Sequence, residues 1–473
     1  MNIWATKSPQ QIYDAAENTG LKKNLTAFDL AALGIGSVVG TGIFVATGQG
    51  AQLAGPGVLL SFIIAAITCG FCALTYSELA CMFPVAGSTY SYSYVAFGEV
   101  IAWIIGWDLM LEYLVAASAV ASGWSTTFIG LIQSAGVKLP KALLLPPITT
   151  NSAGKIVLSG GITDVPAVLI TIIITWVLYI GIKESARINN LIVLVKIVVI
   201  LLFIFLGVRH VSLANLQPMM PFGWKGVMAG AAIIFFAYIG FDAVSTAAEE
   251  TKNPKKDVPL GLMICLAVVI VLYVAVAFVL TGIVPYKQID VGNALPAALA
   301  GIGIRWGGAL VATGAIIGMV STLLVTLYGQ IRIFMVMARD GLLPASFSRV
   351  HSEHRTPHIC TWITGIATAA IAGLFPLPMI IDLCNIGTLF AFILVSVGVI
   401  VLRKTRPEVE RKFKTPGVPV TPLITVAFCF YLMYSLPKIT WFRFGIWMVA
   451  GLLIYFAYSI RHSKIQQALA RKD

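Results

Sequence analysis

Of 473 residues, 58% are hydrophobic and only 11% charged, with a mean hydropathy of +0.91 and a formal net charge of +12. Such a chain is made mostly of membrane spans and leaves no soluble domain of useful size. Its basic excess is explained by loop charge and attraction to anionic lipid head groups, so nucleic-acid binding is a poor reading.

Residues 1–27 are a polar arm carrying Asp14, Glu17, Lys22 and Lys23, with no apolar core of signal-peptide type, and are expected to stay in the cytoplasm. Apolar stretches then predict twelve spans near 28–50, 57–83, 98–133, 164–182, 188–208, 226–249, 259–283, 305–337, 358–375, 380–402, 420–437 and 441–460. Each is long enough to cross about 30 Å of hydrocarbon. With the N-terminus inside, roughly 22 of the 32 Lys and Arg fall in cytoplasmic segments, as the positive-inside bias requires. The densest run is RKTRPEVERKFK (403–414), in a basic loop at 403–419. An even number of spans returns the tail, 461–473, to the cytoplasm.

The first span, AALGIGSVVGTGIF, is interrupted by Gly34, Gly36, Gly40 and Gly42. Glycine lets the run leave helical geometry cheaply, and a new half-helix begins beyond it. Unwound backbone at membrane depth survives only where protein buries it or a cavity needs it. Orphan N–H groups at the new half-helix suit a carboxylate, and carbonyls ending the preceding half suit an ammonium, so a zwitterion fits both. Gly36-xxx-Gly40 is also a helix-packing pattern, and the run is alternatively a simple kink. A nucleotide loop is excluded by the spacing and the missing strand.

All seven cysteines fall within or at the ends of predicted spans, and Cys69 and Cys72 in the second read as small packing residues. The TYSYSY run (89–94) and Trp103, Trp107, Trp124, Trp224, Trp306 and Trp441 suit interface anchoring or packing. Asp108 and Glu112, four apart, share one face of span 3, and either is a cavity candidate. Lys196 stands at the centre of LIVLVKIVVILLFIF, too far from either end of span 5 to snorkel. It either exchanges a proton, which makes it a coupling residue, or stays charged and pins the scaffold.

Span 6 repeats the broken pattern as FFAYIGFDAVSTAAEE, with Gly240 between aromatics and Asp242 in mid-membrane. Asp242 is either a structural acceptor for unwound backbone or a coupling acid. Glu78, Glu249 and Glu250 at cytoplasmic helix ends, with Lys252, Lys255 and Lys256, read as inner-gate ion pairs or a solvated rim. Five histidines and seven cysteines offer no ligand spacing, so neither metal nor cofactor is expected, and no nucleophile–base pair points to an enzyme.

Grouping spans 1–5 (28–208) and 6–10 (224–402) puts the two breaks at corresponding places. Because five is odd, the second unit enters the membrane in the opposite sense, giving an inverted repeat of the transporter kind. Spans 11 and 12 (420–460) stand outside it as scaffold or dimer contact.

Four motifs in order, GIGSVVGTGIF, TYSELACMFPVAGSTYSYSY, FFAYIGFDAVSTAAEETKNPKKDVP and YGQIRIFMVMARDGLLP, cover the chain in outline. With them the sequence resembles the amino acid–polyamine–organocation superfamily and, within it, bacterial permeases related to the cationic amino acid transporters. The resemblance implies an all-α polytopic protein of leucine-transporter-like fold, a 5 + 5 inverted repeat plus two helices, working by alternating access in a bacterial plasma membrane. It implies an L-amino acid substrate, its carboxylate on Gly40, Thr41 and Gly42 and its ammonium on carbonyls of Val38, Phe236 and Ile239. Glu112, Ala116, Ser321 and Thr326 are the side-chain pocket candidates. Where sodium-coupled members hold a cation, proton-coupled relatives carry a lysine on helix 5. Lys196 is thus expected on the carbonyls of Gly36 and Val39 and the hydroxyl of Ser321, with the proton as coupling ion. Exchange, facilitated transport and an amino-acid sensor are the alternatives.

Overall fold

The computed structural model describes residues 2–11, 24–85, 87–137, 139–150, 156–181, 186–354 and 356–470. The expectations for Asp14, Glu17, Lys22 and Lys23 lie outside the described residues. The chain is almost wholly helical. The first predicted span is two pieces, α1 (Ala27–Val38) and α2 (Thr47–Ala54), joined through a wide turn at Gly42–Ala46. There follow α3 (Val58–Met82), α4 (Ser88–Ala96), α5 (Glu99–Ser134), a hairpin of β1 (Ile148–Thr150) and β2 (Ile156–Leu158), α6 (Val165–Ile180) and α7 (Ala186–Gly207). The later half holds α8 (Gly223–Ile234), α9 (Ala243–Thr246), α10 (Pro254–Ile283), α11 (Ala294–Gly301), α12 (Arg305–Arg339), α13 (His358–Leu374), α14 (Leu377–Thr405), α15 (Val420–Ser435), α16 (Lys438–Ile454) and α17 (Lys464–Ala470).

Among the described residues, eight helical segments are long and apolar enough to cross a membrane, and four shorter apolar helices accompany them. Local chemistry sets their ends. Thr26 and Asp29 form a capping box at the start of α1, each satisfying an amide the helix leaves open. Asp164 caps α6 by accepting from the Ala167 amide at 3.1 Å. The β-hairpin and α11 lie in loops where the apolar pattern predicts nothing regular. TYSYSY forms the short helix α4 with Tyr90, Tyr92 and Tyr94 all buried, so these tyrosines pack rather than anchor. Trp103 is likewise buried and Trp107 stacks on Trp447, whereas Trp224 and Trp306 are exposed as anchors would be.

The core is built around α5, which packs extensively on both α12 and α14. The helix α10 packs on both α1 and α3. Both termini lie on one face, since Gln466 and Asn2 bond to each other and the Leu25 backbone pairs with Thr251. Ion pairs on this face differ from the expected rim. Glu78, fully buried, is held by Arg403 and Arg411 instead of Lys252, Lys255 or Lys256, because the 403–419 loop folds back over the end of α3. Lys255 pairs with Glu410 and Glu250 with Arg332. The expectation for Glu249 falls outside the described side chains.

Candidate functional site at two helix breaks

At the end of α1 the backbone turns extended at Val39 (φ −74°, ψ 94°), and after α8 a tight turn at Phe235–Tyr238 gives way to extended Ile239 (φ −60°, ψ 138°). The two breaks pack against each other. A Cβ added at Gly42 would lie 2.3 Å from the Ala237 Cα, so only glycine allows this backbone approach. Gly240, at φ +109°, sits in a region that L side chains rarely adopt, and its face abuts Ser37 in the first break. These glycines therefore join two interrupted helices as well as loosening one.

Lys196, from α7, is fully buried at this junction. Its Nζ donates to the Gly36 carbonyl at 2.5 Å and to the Thr322 hydroxyl at 2.8 Å. That hydroxyl is the immediate neighbour of Ser321, one position on and so about 100° around the helix from the expected partner. Thr322 Oγ1 lies 3.4 Å from the Gly36 carbonyl and 3.5 Å from that of Val39, so α1, α7 and α12 meet at one polar point. The lysine stem reaches there across Gly318, where an added Cβ would stand 2.9 Å from its Cγ. A buried ammonium without such acceptors would cost about 3–5 kcal/mol, which is why the three elements are tied together here.

The other expected residues occupy the break in varied ways. The Val38 carbonyl accepts from the Tyr273 hydroxyl of α10 at 3.1 Å, and the Phe236 carbonyl from the Ile239 amide at 3.3 Å. Each carbonyl has two lone pairs, so both retain capacity for an ammonium. Ile239 and Gly240 remain partly accessible. Gly40 and Gly42 open the second half-helix, while Thr41 turns its hydroxyl towards α5 and α12, 3.3 Å from Met319 Sδ. Its methyl packs where an added Cβ on Gly123 would be.

Asp242, buried, takes hydrogen bonds from backbone at Gly240, Asp242 and Ala243, the local role that unwound peptide groups favour. Glu112, also buried, lies within electrostatic reach of Asp242, and the nearby Thr388 hydroxyl of α14 donates to the Cys384 carbonyl at 3.1 Å. Asp108 lies one turn away against Gly387, and neither of its carboxylate oxygens has a hydrogen-bond partner among the described residues. Ser321 is buried with its hydroxyl unpartnered among them. The hydroxyl of Thr326 back-bonds to the Thr322 carbonyl of its own helix at 2.8 Å, and Ala116 is half-buried beside the core.

Sequence reasoning missed Thr322 and Tyr273. For Thr322 the signal was present as Gly318-xxx-Thr322, a small residue one turn before a hydroxyl, which makes room for the lysine stem. Tyr273 carried no signal, since an aromatic in an apolar helix reads as packing. Among the described residues no group of His, Cys, Asp and Glu is arranged to hold a metal ion.

A model of the amino acid permease family matches residues 25–458. The chain is 47% identical over 468 residues to the branched-chain amino acid permease BcaP of Bacillus subtilis, covering 98% of this chain and 99% of the relative. It is also 47% identical over 463 residues to the methylthioribose transporter of the same organism, with the same coverage. To the vacuolar cationic amino acid transporter 4 of Arabidopsis thaliana it is 36% identical over 411 residues, covering 85% of this chain and 65% of that protein.

Proposed function

The chain belongs to the amino acid permease family, whose members are membrane transporters and not enzymes, and from that premise we propose that it takes up an L-amino acid by proton-coupled symport. The observation that carries this reading is the contact of Lys196 with Gly36 and Thr322 beside two helix breaks that touch backbone to backbone. An amino acid's carboxylate matches the half-helix N-terminus at Gly40, Thr41 and Gly42, and its ammonium matches the carbonyls of Val38, Phe236 and Ile239. Glu112, Ala116, Ser321 and Thr326 line the remainder of the pocket in this reading. Lys196 supplies the exchangeable charge: protonated it binds the end of α1 to α12, and deprotonated it releases that tie, so alternating access follows the proton. Residues 28–208 and 224–402 act as the two inverted halves, with 420–460 as scaffold and both ends in the cytoplasm of a bacterium.

The equal identity to a methylthioribose transporter motivates a second reading. A neutral sugar thioether leaves the half-helix N-terminus without an anion and the paired carbonyls without a cation, so the break geometry favours the amino acid. The experiment is uptake of labelled branched-chain, small neutral and cationic amino acids and of methylthioribose into sodium-free proteoliposomes, with and without an inward proton gradient. Gradient-driven accumulation of one amino acid class, lost in Lys196→Met, supports symport. Methylthioribose as sole substrate, or equal uptake without the gradient, refutes it.

A further inference from the structure

On the face that carries both termini, a cleft of about 380 Å³ lies between the first turns of α10 and the basic loop. Asn253, Lys255, Lys256 and Pro259 form one wall, and Lys412 and Phe413 the other. We infer that this cleft is a binding site for the head group of an anionic phospholipid, a role independent of the transport reading.

The walls are built, not merely charged. Buried Glu78 receives two bonds from the Arg403 guanidinium, at 2.9 and 2.8 Å, and one from the Thr415 amide at 2.7 Å. Arg411 curls the intervening loop by donating to the carbonyls of Leu402, Arg406 and Val409. The opposite wall is fixed by Cys81, whose thiol donates to the Lys255 carbonyl at 3.1 Å. Lysines 255, 256 and 412 thus converge on one volume from two separately anchored segments.

Charge and polarity then select the occupant. Three lysines line the cleft, and the neighbouring carboxylate, that of Glu410, pairs with Lys255 at 2.6 Å. Glu410 is itself 63% exposed, so a phosphate displaces it at little cost. Pro259 and Phe413 add apolar surface to the two walls, which a free inorganic anion does not need but the esterified acyl chains of a lipid do. Lys256, Leu260 and Met263 share one face of α10, and the latter two are exposed apolar residues of a membrane-crossing helix. The cleft therefore tops a lipid-facing stripe at head-group height, the place where basic pockets between helices take anionic lipids.

The test is native mass spectrometry of the full chain in detergent, titrated with phosphatidylglycerol or phosphatidylcholine. Wild type should retain the anionic lipid preferentially, and Lys255→Gln/Lys256→Gln/Lys412→Gln should lose at least about tenfold of that preference. A charge-matched control, Arg349→Gln/Lys404→Gln/Lys464→Gln, should keep it, with thermal melts reporting folding of both. Glu410→Gln, at an exposed position, should bind more tightly and keeps the proposal testable if the triple variant does not fold. No lipid preference in wild type, equal loss in both triple variants, or inorganic phosphate binding as tightly as the lipid would overturn it.

Discussion

The ammonium of Lys196 lies 2.5 Å from the carbonyl oxygen of Gly36, and this contact joins the middle of one span to the end of the first half-helix of another. Because α1 ends there, the Gly36 carbonyl has no intrahelical amide within the following regular turn to satisfy it. Lysine and carbonyl each solve the other's burial problem. A change in the lysine's charge would therefore alter how firmly the half-helix is held.

Thr322, which accepts from Lys196 at 2.8 Å, should matter more than its neighbour Ser321. Thr322→Val removes a bond to a charged group, worth about 1.5–3 kcal/mol, so gradient-driven uptake should fall at least about tenfold. Ser321→Ala, which removes a hydroxyl without a partner among the described residues, should leave coupling intact and alter at most the preference among substrates. Initial rates measured with and without a gradient separate the two, and a larger coupling loss in Ser321→Ala would reverse the assignment.

Gly42→Ala should destabilise the fold. Its new methyl would meet the Ala237 Cα at 2.3 Å, and backbone cannot step aside as a side-chain tip can. A loss of about 3 kcal/mol or more is expected, the upper end for overpacking. Gly70→Ala is the matched control, since nothing stands within 4 Å of a Cβ there and the site is inside α3, where alanine gains about 0.5–1 kcal/mol over glycine. Melting temperatures in detergent should move in opposite directions.

The breaks themselves were legible in sequence because a span must satisfy its own backbone, and a glycine run that weakens it marks where the backbone opens or is closely approached. Lys196 was legible on similar grounds, as a charge where charge is costly. The identity of its hydroxyl partner was not, because neighbouring positions on a helix differ by about 100° and apolar composition gives no phase when both faces are buried. The partners of Glu78 were hidden differently. A basic loop read in one dimension is a solvated charge run, and only its fold over α3 shows two arginines converging on a buried carboxylate.

That convergence gives a stability prediction. Glu78 is fully buried while Arg403 keeps part of its surface in water, so Glu78→Gln should cost about 2–3 kcal/mol, somewhat below the value for a wholly buried pair. Lys255→Gln, which breaks a pair with an exposed partner, should change stability by less than about 1 kcal/mol. Detergent melts at low and high salt give a second discriminator, since only the exposed pair should be salt-sensitive. Equal costs would mean that the buried carboxylate does not hold the loop.

Asp108 and Glu112 share a helix face, yet their surroundings assign them different weights. Glu112 lies within electrostatic reach of Asp242 beside the second break, whereas Asp108 is pressed on Gly387 with neither oxygen partnered among the described residues. Asparagine at 108 replaces a buried acid without a partner among the described residues by a neutral amide, while glutamine at 112 removes the acid that interacts with Asp242. Asp108→Asn should therefore melt at an unchanged or higher temperature and keep uptake within about twofold of wild type. Glu112→Gln should lower uptake about five- to tenfold or shift the ranking of neutral against cationic substrates. A transport-dead Asp108→Asn with a normal melt would move the functional carboxylate one turn along α5, from Glu112 to Asp108.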